Sequence, residues 1–149
     1  MTATEFLKRQ HREALAMVKT LEGRDGNLSA ADLQVFGKLK SALVFHTAVE
    51  EQIFYHELAN DQATKHLIHE AYLEHRTVDD LLVQLTVAPP DQWPKHPARL
   101  RREISHHIAE EENDLFPKAE QLLGKSKLKE MGWQMEQIQK GKSANLGQA

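Results

Sequence analysis

Leu100-Arg-Arg-Glu-Ile104-Ser-His-His107-Ile-Ala-Glu-Glu111-Glu-Asn-Asp-Leu115 sets Leu100, Ile104, His107, Glu111 and Leu115 at three- and four-residue steps. That spacing is one stripe of an α-helix, and a stripe so apolar at its ends is one that packs inward. An imidazole and a carboxylate occupy its middle. Three other segments set an imidazole in such a stripe, one of them with a carboxylate as well. The stripes are Leu7, His11, Leu15, Val18, Leu21; then Phe36, Leu39, Leu43, His46, Glu50, Ile53; then Ile68, Tyr72, His75, Val78, Leu82.

The breaks between these stripes divide the chain into four long helices, over about 4–22, 30–58, 62–86 and 98–123, with a short fifth near 127–140. Gly23 to Ser29 reads as a loop, with Ser29 an N-cap. Asn60-Asp61 is a short break. Ala88 to Pro97 holds four prolines and reads as a loop. Gly124 stops a helix, Ser126 can cap the next, and the tail from Gly141 looks frayed. Short connections favour antiparallel neighbours. The expected fold is all-α: an antiparallel up-down-up-down four-helix bundle with a short C-terminal fifth helix. Residues 1–140 form that bundle and 141–149 a flexible tail.

Composition narrows the function. The 149 residues suffice for one core, and 40% hydrophobic with 28% charged residues is a globular rather than a disordered balance. A net charge of -3 without a basic run argues against nucleic acid as a partner. No apolar stretch approaches the roughly 18–20 residues needed to span a membrane, and the N-terminus lacks signal-peptide character. The absence of cysteine excludes disulfides, iron–sulfur clusters, thiolate zinc sites and thiol nucleophiles. A cytoplasmic location is the expectation.

The chemistry rests on the histidines. His46 and His107 are each followed four residues later by a carboxylate, nearly one helical turn on, so each pair shares a face. Counted from the helix ends, His46 and Glu50, His75, and His107 and Glu111 fall within a few ångströms of a common depth. His11 matches less closely across a longer loop. Four imidazoles and two carboxylates buried without partners would be very costly. Metal coordination by His11, His46, Glu50, His75, His107 and Glu111 removes that cost. Such a donor set suits iron, manganese or zinc. A single inward histidine is more often an ordinary hydrogen-bonded core residue; four at matching depth are not. His56, His66, His69, His96 and His106 lie off the stripes, at a helix end or in a loop, and read as surface residues. Trp93 and Trp133 read as covers for the bundle ends.

The segments His46-Thr-Ala-Val-Glu50-Glu51-Gln-Ile-Phe-Tyr55 and His107-Ile-Ala-Glu-Glu111-Glu112-Asn-Asp-Leu-Phe116-Pro117 resemble the hemerythrin-like, or HHE cation-binding, family. His11 within Gln-His-Arg-Glu and His75 within Leu-Glu-His match its ligands on helices 1 and 3. The resemblance runs from His11 to about Met135. It implies two iron ions, with manganese or zinc as alternatives, bridged by Glu50 and Glu111 and by an oxo or hydroxo group. Oxygen-carrying hemerythrins resemble H-x-x-E-H on helix 3; here the first of those positions is Ala71. Two coordination positions then stay open. Glu51, Glu110, Glu112 and Tyr72 are candidates to fill them, and Glu74 is a candidate to orient a ligand from outside.

Two functions follow from the resemblance. One is binding or sensing of O2, nitric oxide, reactive oxygen species such as peroxide, or iron itself. The other is a diiron enzyme with ferroxidase or peroxidase-like activity. A structural metal is a third reading. No nucleophile triad, phosphate loop or dinucleotide fingerprint is present.

Overall fold

The computed structural model describes residues 1–24, 28–89, 91–93 and 95–148, with side chains through Lys142. The middle of the Gly23–Ser29 loop, Pro90, Pro94 and the last residue of the tail lie outside the described residues.

Helix α1 (Ala3–Leu21) starts at Thr2, whose hydroxyl accepts from the Glu5 backbone N–H while the Glu5 carboxylate accepts from the Thr2 N–H. Ser29 and Asp32 form the same reciprocal cap on α2 (Ala30–Val49), as the sequence predicts. Helix α2 does not end at Val49. It passes through a π-helical turn, Glu50–Tyr55, into the short α3 (His56–Leu58). The next helix begins at Lys65, three residues later than the sequence predicts, because Asp61 is spent on the turn. Its carbonyl accepts from the Thr64 and Lys65 N–H groups, and its carboxylate from that of Ala63. Helix α4 (Lys65–Val87) leads by the proline-rich connection to α5 (Lys95–Glu110). That helix starts about three residues early, since Pro97 sits in its first turn, where no intrahelical N–H is required. His96 is therefore helical rather than in a loop. A second π-helical turn, Glu111–Leu115, joins α5 to α6 (Phe116–Gln148).

Helix α6 breaks at Gly124, where φ is 78° and ψ 162°. A residue with a Cβ is strained at that φ, so the glycine is what turns the chain. The leg beyond it is longer than the expected 127–140 and is helical through Gln148. Gly132 lets this leg lie against the chain start: a Cβ there would collide with the backbone of Met1 to Ala3.

Helix α1 lies against α2, α5 and α6, and α4 against α5. The interior has two apolar clusters. Phe6, Leu7, Phe54, Ile68, Leu115 and Phe116 belong to one. Val18, Leu39, Leu43, Val78, Leu100 and Ile104 belong to the other. Helices α1, α2 and α4 contribute to both, each with its histidine between the two contributions; α5 contributes to the second, and the π-helical turn after it and α6 to the first. Trp93 is buried in the second cluster, edge-on to Phe36 at 6.0 Å, as expected of a cover. Trp133 is 61% exposed and covers nothing, which corrects its expected role. No helix among the described residues is long and apolar enough to cross a membrane.

Candidate metal centre

The layer between the two clusters holds His11, His46, Glu50, His75, His107 and Glu111, none more than 6% exposed. All six residues singled out by the stripes therefore meet. His11 Nε2 and His107 Nε2 each lie 3.1 Å from Glu111 Oε1. His46 Nε2 and His75 Nε2 each lie 3.0 Å from Glu50 Oε1. Donor atoms of His11, His46, Glu50 and Glu111 fall within 4.8 Å of one another, and so do those of Glu50, His75 and His107. Donors around one ion at bond lengths of about 2.0–2.2 Å span nearly that distance. Two adjoining pockets of donors thus share Glu50.

Each imidazole is aimed from behind. His11 Nδ1 contacts Glu112 at 2.8 Å, His46 Nδ1 contacts the Gln10 amide oxygen at 2.8 Å, His75 Nδ1 contacts Glu51 at 2.8 Å, and His107 Nδ1 contacts Glu74 at 2.7 Å. An acceptor at Nδ1 fixes the tautomer and turns the Nε2 lone pair inward. Glu74 orients His107 on the neighbouring helix, not its own neighbour His75. Of the acids considered for the open positions, Glu51 and Glu112 serve instead as these orienting groups. Glu110 pairs with Glu74 and with His106, which is exposed as expected. The hydrogen bond to Glu74 and partial burial push the Glu110 carboxyl up to about 7.

Tyr72 does not reach the layer. It is half-buried, with its ring 5.5 Å from that of Tyr55. The residue that sequence reasoning missed is Tyr55. Its buried hydroxyl donates to Glu111 Oε2 at 2.5 Å and stands 3.2 Å from His75 Nε2. Tyr55 lies five residues after Glu50, about 140° away on an α-helix but nearly in line on a π-helical turn, whose hydrogen bonds run i to i+5. Phe116 stands five residues after Glu111 by the same device and stacks on His11 at 5.8 Å, as Tyr55 stacks on His75 at 5.4 Å. A glutamate opening a six-residue run that ends in an aromatic, written twice, was the available signal.

Electrostatics follow from proximity. Burial alone lowers the pKa of His11, His75 and His107, but carboxylates outweigh it and raise all three: chiefly Glu111 for His11 and His107, and Glu50 for His75. Burial raises the Glu50 carboxyl, and the His46 charge with its other neighbours brings it well below the usual range. Burial, then Glu111 and Glu50, push the Tyr55 phenol well up. Even so, the layer is incompletely satisfied: Glu50 Oε2 has no hydrogen-bond partner, and His46 Nε2, though 3.0 Å from Glu50 Oε1, is not aligned to bond it. Buried polar atoms are rarely left so, and an ion at the shared donors removes the deficit. The residues present fit a metal centre.

The hemerythrin HHE cation binding domain model matches residues 2–119. A solved structure of a hemerythrin HHE cation binding domain-containing protein from Mycobacterium kansasii is 25% identical. It covers 98% of this chain and 92% of its own, with a TM-score of 0.79. No curated protein sequence matches the chain at a significant level. With the family model spanning most of its length, the chain belongs to the hemerythrin HHE cation-binding domain family.

Proposed function

We propose that this chain holds two iron ions. One is bound through His11, His46, Glu50 and Glu111; the other through His75, His107 and the same two carboxylates. The protein then serves to bind or sense O2, nitric oxide, reactive oxygen species or iron. Manganese and zinc suit the same donors. The observation that carries this is the inward aim of four buried imidazoles, each held at Nδ1 by an acceptor outside the layer. When bound, iron supplies a redox-active Lewis acid at the layer. The protein's share is to fix the donors, border them with apolar clusters on either side, and hold a proton at Tyr55 Oη.

That proton also favours the second reading, a ferroxidase or peroxidase-like enzyme. A phenol held beside the donors can deliver a proton, and an electron with it. Anaerobically reduced, iron-loaded protein exposed in turn to O2, nitric oxide and peroxide separates the two. Spectral changes that reverse on removing the ligand support binding. One irreversible oxidation per added oxidant supports sensing, and repeated turnover supports the enzyme. Iron-loaded protein inert to all three would sink the enzyme and the binding of these small ligands, leaving only iron sensing or a structural metal.

A further inference from the structure

A cavity of about 210 Å³ opens beside α1 and α2, under the end of α6, and reaches all four imidazoles. Its walls include Ala14, Leu43, Val78 and Ile104, so it lies on the second cluster's side of the histidine layer, away from Tyr55. Small side chains at Ala14 and Ala42 leave the room. Gln139 and Lys142 of α6 stand at the rim. Lys142 is pinned there: its ammonium sits 4.9 Å over the Phe45 ring and donates to the Ser41 carbonyl at 3.4 Å. The final helix thus roofs the opening.

We propose that this cavity binds one small apolar organic molecule, about one aromatic ring in size, against the histidine face. An apolar cavity of about 150 Å³ takes up benzene, and this one is larger, far beyond the needs of a diatomic gas. Beside the imidazoles the walls carry Gln10, which His46 engages, and Glu13, Thr47, Gln139 and Lys142; their remaining residues are apolar and offer nothing to replace the hydration of an ion. They offer a ring dispersion contacts on several sides. Placing such a molecule beside a metal rests on the function proposed above; the cavity itself does not.

Fluorobenzene titrated into the full-length protein and followed by fluorine NMR tests this, with metal content measured on the same sample. One saturable site per chain is expected. Ala42→Phe, which fills the cavity from α2, is expected to weaken binding at least tenfold with metal content unchanged. Thr47→Phe at the rim gives a second obstruction should the first disturb packing. A metal-loaded protein with no saturable fluorobenzene signal, or equal binding by both folded variants and wild type, overturns the inference. A protein that binds fluorobenzene but no metal upholds the cavity and defeats the metal centre instead.

Discussion

Tyr55 and Phe116 hold equivalent places in the two halves of the bundle, and only one carries a hydroxyl. The ring is therefore accommodated without the oxygen, so Tyr55→Phe isolates the hydrogen bond to Glu111. Hydrogen bonds to charged groups contribute about 1.5–3 kcal/mol. Chemical denaturation of the metal-free variant is expected to show a loss in that range. The fold and the uptake of metal should be retained, and equal stability would show that the bond is not formed. The orienting groups differ between the halves as well. His46 is held by an amide, Gln10, where His107 is held by a carboxylate, Glu74. Since the amide oxygen serves in one half, Glu74→Gln should keep near-normal metal affinity. Glu74→Leu, with no acceptor, should lower it by about 10–100-fold. Competition with a chromophoric chelator measures both, and equal effects would contradict an orienting role.

At the scale of elements, the bundle was legible because apolar residues recur at three and four steps in every long helix, and His and Glu break that recurrence at one depth. The two π-helical turns were not legible. A reading by 3.6-residue periodicity sets Tyr55 on the far side from Glu50, and only the widened turn brings it round. Tyr72, on the α-helical stripe, was a candidate for that reason and lies outside the layer. The length of the final leg was also hidden, because Gly141 resembled an end and the residues beyond it have little hydrophobic pattern. Leu128, Met131 and Met135 bury that leg in the first cluster, and Gly132 lets it lie close against the chain start. Gly132→Ala would press a Cβ into the Met1–Ala3 backbone, and overpacking of this kind costs about 1–3 kcal/mol. Gly141→Ala, with open space around it, is the control and should be neutral or slightly stabilising. Equal thermal midpoints for the two variants would show that the leg is not docked as described.

Across the whole molecule, one polar layer separates two apolar clusters, and its charge balance ties stability to pH. His11, His75 and His107 have folded values above the ordinary 6.5. Their ion pairs therefore contribute fully below about 6.5 and are lost as pH rises through the folded values. Glu50 has a folded value well below the ordinary 4.5, so its contribution is present above 4.5 and lost as pH falls from there through the folded value. Metal-free protein should thus be most stable between these limits, and its thermal midpoint should fall as the pH rises above them. Metal uptake should run the other way, strengthening with pH as fewer protons compete for the imidazoles. A metal-free midpoint that climbs steadily from pH 6 to 9 would contradict the charge state described for the layer. The most direct measurement is elemental analysis after anaerobic loading with ferrous iron and removal of loosely held ions. About two ions per chain are expected for the wild type, with at least one lost in His75→Ala. A well-folded wild-type protein that retains no metal would mean that the six buried residues form a hydrogen-bonded polar layer and not a metal centre.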